Sequence, residues 1–569
     1  MTPTRTGNGR RHPRRAALAA AAGLLLSALA ACTDSPATSP SATSPPATSS
    51  PALTSQCSSG VPYTLRVLAS SELSDMVPIL NQVARATGVT VKLPPKALIG
   101  SLAGAQEVID GTAEGKYDAV WFASDNYLNL WPDGLARLNG TTEIMSSPVI
   151  LGLRSSAARR LGWDRGPVSW AAIAAAAMRH EFTFGMTDPA TSNSGLSALV
   201  AVSTAIAGKG AALQAAEIPS AESELSGLFH AQVVTAPTSG PLTTEYGIRL
   251  RMGRPPDGLF DYESQLLTLQ ASAPRGDPLT LVYPSDGVLE ATYPLSILAS
   301  ASPAAKSAYQ RLAACLTSVP VQRQIMLETH RRPISGNPPL TPDLAAHQPF
   351  ELPFPGAPST VQDLITAYHG TLRTAGRTIY VLDISGSMRG ARLDGLKQAL
   401  LALTGIDTTL VGRLSMFHAS EQVTFLPFGT TPGSPVTFNL PQAGDQAVLQ
   451  RLRAYIAGLR VHGHTAIYDA LVDAYRIMAA QNAADPGRIS SIVLLTDGEN
   501  NTGRTLADFT AYYHSLPEGS PPVYTIAFGE ADLQALGEVA NVTGGTAFDA
   551  TSQPISALST IFDEIRGYQ

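Results

Sequence analysis

Charge is scarce in this chain. Only 15% of its 569 residues are Asp, Glu, Lys or Arg, and the formal net charge is −6. The first 31 residues hold five arginines and no acid, so without them the charge falls to −11. That balance argues against nucleic acid or an anionic membrane surface as partner, because Lys and Arg make those contacts. No long apolar run occurs either. The run from Ala16 to about Leu29 is too short and too Ala-rich for a convincing membrane span. Catalytic signatures are also missing: there is no His-Glu-x-x-His, no Gly-x-x-x-x-Gly-Lys and no Gly-x-Ser-x-Gly. These absences point away from an enzyme. Cysteine occurs three times, at 32, 57 and 315. What remains is a chain of globular hydrophobicity, 44% apolar, long enough for more than one domain.

The most informative stretch is Asp383-Ile384-Ser385-Gly386-Ser387-Met388. It follows Thr378-Ile379-Tyr380-Val381-Leu382, an apolar run that predicts a buried parallel strand. One carboxylate and two hydroxyls therefore lie at the carboxyl end of a strand, where open α/β sheets bind ligands. An oxygen-only set suits Mg²⁺ better than Zn²⁺ or Cu²⁺. Asp, Ser and Gly are also ordinary turn residues, so this stretch alone decides little. Two further loops add weight. Thr465 precedes the helical pattern Ile467-Tyr468-Asp469-Ala470-Leu471, and Asp497 ends the apolar run Ile492–Thr496. The three loops in this order resemble the metal-ion-dependent adhesion site of von Willebrand factor type A domains. The resemblance implies a Rossmann-like domain with a mostly parallel sheet. It also implies Mg²⁺ (or Mn²⁺ or Ca²⁺) held by Asp383, Ser385, Ser387, Thr465 and Asp497, with one position left for an acidic residue of a protein partner. His462-Gly463-His464 reads as loop polarity, since no Cys or third His lies nearby in sequence.

The N-terminus reads as a targeting segment. A basic stretch ends at Arg14-Arg15, the apolar run follows, and Leu29-Ala30-Ala31-Cys32 resembles a bacterial lipobox. The expected layout is a leader over 1–31, a lipidated Cys32, and a disordered Ser/Thr/Pro-rich tether over 32–58. The product would sit on the extracytoplasmic face of the cell membrane, lipid-anchored, with general or twin-arginine export both open. Cys57 and Cys315 then remain in a compartment that favours a disulfide, or stand as two separate thiols.

Between 59 and 345, strands at 64–69, 90–93 and 119–122 alternate with helices at 75–87 and 106–114, the pattern of a parallel α/β sheet. Strand 148–153 reads as a crossover, and 279–284 as the return. This layout resembles bacterial extracellular solute-binding proteins of the molybdate- and sulfate-binding type, a two-lobed periplasmic-binding-protein-like (type II) fold. The matching pieces are Ala69-Ser70-Ser71, Phe122-Ala123-Ser124 and Thr187-Asp188-Pro189-Ala190-Thr191-Ser192-Asn193-Ser194-Gly195. They nominate Ser70, Ser71, Ser124, Thr191, Ser192 and Ser194 for a small polar or anionic solute. The last loop precedes a helix whose N-terminal N–H groups suit an anion, although Ser192 and Ser194 also fit plain capping. A linker and connecting helix are expected over 346–375. The adhesion-type domain is expected over 376–569, with strands near 377–383, 412–417, 422–426, 489–496, 523–528 and 546–548. Two functions follow from these readings. One is a surface lipoprotein that binds a protein through a metal. The other is a solute receptor that its C-terminal domain docks to a membrane complex.

Overall fold

The computed structural model describes residues 57–93, 98–272, 276–335, 337–407, 410–440, 446–551 and 557–568. The expected leader, the lipidation of Cys32 and nearly all of the tether lie outside the described residues. The protein is mixed α/β, and the described residues form three sheets.

The first sheet has the order Val89–Lys92, Tyr63–Ser70, Ala119–Trp121, Pro294–Leu298, Leu138–Glu143, and Leu98–Ile99 also pairs with Tyr63–Ser70. Its early strands are parallel and joined through helices, as alternating patterns require. The helix expected over 106–114 runs instead over Ser101–Ile109, and Gly111 follows it at φ 75°. Met145–Arg154 carries the chain into the second sheet, ordered Leu279–Val282, Met145–Arg154, Gly258–Tyr262, Phe184–Thr187, Gln232–Ala236. All but the last residue of that crossover strand are buried. Cys57 and Cys315 are disulfide-bonded, with Cα atoms 4.7 Å apart, so the bond ties the start of the described chain to helix Pro303–Leu316.

The Pro-rich segment after 346 is fastened to the second lobe. Val288 N donates to Phe350 O, Leu352 N donates to Val288 O, and His347 stacks on Tyr283 with centroids 4.0 Å apart. Helix Pro358–Ala367 and the π-helical turn Tyr368–Leu372 lead into the third sheet. Its order is Val436–Asn439, Gln422–Phe428, Gly376–Asp383, Ile489–Thr496, Val523–Ala527, Ala547–Asp549. Every residue of Gly376–Asp383 is buried, because parallel strands flank it and helices cover both faces.

The sequence reading misses one element of this sheet. Residues 412–417 are not a strand: Leu410–Ser415 is a helix. Leu414 and Ser415 are buried side by side, which fits a helix face and not the alternation of a strand. The antiparallel edge is supplied by Val436–Asn439, paired to Gln422–Phe428.

Candidate functional site

The two central strands of the third sheet end side by side, at Asp383 and at Thr496-Asp497. Both carboxylates are fully buried. Asp383 Oδ1 accepts from Ser385 N at 2.8 Å and its Oδ2 accepts from Thr496 Oγ1 at 2.6 Å. Burial pushes the Asp383 carboxyl above its ordinary value. The Thr496 and Ser385 hydrogen bonds oppose that rise, and neighbouring Asp497 adds to it. Ser385 Oγ lies 3.0 Å from Ser387 Oγ, and Ser387 Oγ donates to Asp497 Oδ1 at 2.8 Å. Thr465, only 3% exposed, faces the same point. A Cβ placed on Gly498 would stand 3.6 Å from Ser387 Oγ and 3.9 Å from Thr465 Oγ1. Gly498 thus keeps the space between those hydroxyls open.

The three loops are stitched together by backbone bonds. Gly386 N donates to Gly463 O, and His462 N donates to Ile384 O. Asn501 Oδ1 accepts from Thr465 N at 2.9 Å and Asn500 Oδ1 from Ile467 N at 2.9 Å. Asn500 and Asn501, just after Asp497, therefore position the Thr465 loop. The structure brings all five nominated residues together.

Among the described residues no three His, Cys, Asp or Glu side chains converge as a metal cluster. The donors here are instead hydroxyls with two buried carboxylates, a hard oxygen set that fits Mg²⁺ or a similar ion. One neighbour escapes the sequence reading. Arg392, on helix Ala391–Leu401, places Nη1 2.6 Å from Asp497 Oδ2. No sequence signal distinguishes it from an ordinary surface arginine.

The cleft residues behave differently. Ser70 Oγ bonds Ser101 Oγ at 2.9 Å and accepts from Ala123 N. Ser71 points to Glu72, and Ser124 accepts from Asn126 N. Thr191 Oγ1 donates to Pro237 O. Ser192 Oγ bonds Ser194 Oγ, which also bonds Thr187 and Ser239. Ser192 precedes helix Asn193–Ala207 without capping it through its side chain. The six hydroxyls are shared between two lobes and engaged within the protein, not gathered on one open wall. The lobes meet closely: a Cβ on Gly100 would come 1.6 Å from Thr191 O, so only glycine fits there.

The seam carries acids that the sequence reading missed. Asp261 Oδ1 accepts from Ser239 Oγ at 2.6 Å and from Tyr262 N at 2.8 Å. Among the described residues Asp261 Oδ2 meets no hydrogen-bond donor, and burial raises the carboxyl to about 7. Burial also raises Glu72. Asp75 is neutralised by Arg331 at 2.6 Å, whose guanidinium lies 4.8 Å from the centroid of the Tyr293 ring.

Comparison with known proteins gives two separate matches. Residues 379–564 match the family model of the von Willebrand factor type A domain. Residues 65–326 match that of a bacterial extracellular solute-binding protein. Inter-alpha-trypsin inhibitor heavy chain H3 of Mesocricetus auratus is 28% identical over 155 residues, 26% of this chain and 16% of that protein. The chain thus spans about a sixth of the length of such curated relatives. Among solved structures, a von Willebrand factor type A protein from Catenulispora acidiphila aligns at 18% identity and a TM-score of 0.28, over 35% of this chain and 43% of the other. A periplasmic thiamin binding protein aligns at 15% identity and a TM-score of 0.43, over 56% and 99%. The chain thus joins a stretch similar to bacterial extracellular solute-binding proteins to a stretch similar to von Willebrand factor type A domains.

Proposed function

We propose that this protein is a lipid-anchored surface protein that binds a protein partner through a divalent cation. The supporting observation is that Ser387 Oγ lies 3.0 Å from Ser385 Oγ and 2.8 Å from Asp497 Oδ1, with Thr465 across the gap beside Gly498. Ser385, Ser387 and Thr465 offer hydroxyl ligands, and Asp383 and Asp497 orient them and balance charge. The ion, when bound, supplies an electrophilic position for a Glu or Asp of the partner. Asp383 is well suited to hold its loop, since each of its oxygens already accepts one hydrogen bond.

The lipobox-like Leu29–Cys32 supports a lipid anchor on Cys32, and the Ser/Thr/Pro-rich segment after it supports a tether. Among the described residues no helix is long and apolar enough to cross a membrane. The disulfide suits an extracytoplasmic compartment. The solute-binding-like region serves in this reading as a sensing or contact module, with no catalytic step. Its two-sheet, two-lobed form favours a second reading, a solute receptor that the C-terminal region docks to a membrane complex.

Calorimetry with Mg²⁺ and Mn²⁺ tests the first reading. Binding is expected in the wild type and lost in Asp383→Ala with the circular dichroism unchanged. Equal metal binding by that variant would refute the assignment. A pull-down that retains the same partner with and without chelator would remove the metal from the interaction. A thermal-shift screen of solutes separates the two readings.

A further inference from the structure

A run of buried charged and aromatic side chains crosses from the solute-binding-like region to the C-terminal sheet. It begins at Asp188, in the loop that continues to Thr191 at the seam between the lobes. Asp188 Oδ1 lies 3.2 Å from His369 Nε2. The His369 ring stacks on His418, with centroids 3.9 Å apart and planes 7° from parallel. Arg373, four residues on, reaches Glu421 at 3.6 Å. Glu421 takes Arg566 Nη2 on both oxygens, at 2.7 and 2.9 Å. Arg566 also donates to the carbonyls of Ser415 and Met416. Asp188, His369, Arg373, Glu421 and Arg566 are each at most 4% exposed.

The far end of this run lies at the sheet edge opposite the metal site, where Gln422, next to Glu421, pairs with Arg377 at the start of the Gly376–Asp383 strand, and a helix spans the distance. Arg566 ends helix Ala557–Arg566, which packs on helix Ala391–Leu401. That second helix carries Arg392, whose Nη1 holds Asp497. The buried run and two packed helices therefore connect the cleft loop to a carboxylate of the candidate site.

A chain of this kind is poor glue. Apolar residues of similar volume would join the two regions as well or better, because burying the charges cancels much of their attraction. Its geometry is instead all-or-none, since withdrawing one member leaves a buried charge uncompensated. The packing is also incomplete. Among the described residues Arg373 Nε and Nη1 and His369 Nδ1 meet no acceptor. A pocket of about 630 Å³, lined in part by Thr366, His369, Arg413 and His418, opens beside the stacked rings. A second arrangement has room to form.

We propose that Asp188, His369, Arg373, Glu421 and Arg566 form a latch through which the cleft loop and the metal site bias one another. The metal end of this coupling rests on the function proposed above.

Hydrogen exchange on the full chain, followed at residues 184–195 and 557–566, tests it. Saturating Mn²⁺ should change exchange of the wild-type cleft loop about fivefold, the low end of coupling between sites. Asp188→Asn, nearly isosteric, should keep Mn²⁺ affinity within about twofold, within the reach of weak residual coupling, and lose the loop response. Arg566→Lys should do the same from the other end. A loop indifferent to Mn²⁺ in a wild type that binds it, or equally responsive in both variants, overturns the latch. If calorimetry finds no Mn²⁺ binding, the metal reading fails by itself. The metal-free chain then decides: Asp188→Asn should speed exchange over 557–566, and an unmoved helix overturns the latch.

Discussion

Arg392→Gln should tighten metal binding. Asp497 is fully buried, with one oxygen on the Ser387 hydroxyl and the other on Arg392. Without a metal, Arg392 is the positive charge nearest that carboxylate in the hydrogen-bond network. Removing it leaves a buried carboxylate half-paired, and breaking a fully buried pair costs about 3–5 kcal/mol. Arg392 itself is 30% exposed, so water screens part of the pair. About 1–2 kcal/mol is the better figure after that discount. A bound cation supplies the missing charge, so this cost falls on the metal-free form alone. By linkage it reappears as affinity, about 5- to 30-fold in Kd. Removing a cation beside the ion acts in the same direction. Calorimetric titration of Mg²⁺ into both proteins at matched ionic strength measures Kd. Thermal unfolding in chelator and in excess Mg²⁺ measures the two forms. The expected pattern is a lower Tm for the metal-free variant, near-equal Tm with metal, and a tighter Kd. An unchanged or weaker Kd would show that Arg392 does not substitute for the ion, and the reasoning fails.

Gly498→Ala should fold normally, because its Cβ meets Ser387 Oγ and Thr465 Oγ1 only at van der Waals distance, yet it narrows the space between those hydroxyls. Metal affinity should fall while chelator Tm stays put; a Tm loss without an affinity change would contradict this. Asp261 is held near 7 by burial, well above its ordinary 3.8. The folded state keeps a proton that the unfolded state has lost, so stability declines as pH rises from about 4 to 7, by roughly 4 kcal/mol. Asp261→Asn should therefore gain stability over the wild type at about pH 8 but not at about pH 5, and equal shifts at both would be evidence against it. His418 is held well below the usual imidazole range by burial first, then by His369, Arg566 and Arg373, with the Leu414 carbonyl opposing. The unfolded chain takes up a proton that the folded chain refuses, so stability is full above about pH 6.5 and drops as pH falls below it. His418→Phe should flatten that acid limb in urea unfolding, and an unaltered limb would assign it to other groups.

The readable part of this protein lay in short-range pattern. Gly376–Asp383 is announced by its apolar run Thr378–Leu382, which fits a strand buried between parallel neighbours. The crossover strand Met145–Arg154 is legible for the same reason. The error at 412–417 came from a short apolar stretch whose period cannot separate helix from strand. Ser and Thr in the cleft loops looked available because a sequence does not record whether a hydroxyl is already engaged. Ser194, bonded to Thr187, Ser192 and Ser239, is the clearest case.

The sequence by itself determined the order of the α/β units, the oxygen-bearing loops after two strands and before one helix, and the presence of Cys57 and Cys315. Burial along a strand or helix is written locally, in periods of two and 3.6 residues, so those features need no partner to be seen. Only the tertiary structure decided which charges pair. Arg392 reaches Asp497, and Glu421 joins Arg566 across 145 positions. Nothing local marks either pair, since a charged side chain on a helix looks the same in sequence whether it meets water or a buried carboxylate. The partner is chosen by how the packed layers fall against one another, and there the desolvation of each charge makes the choice binding.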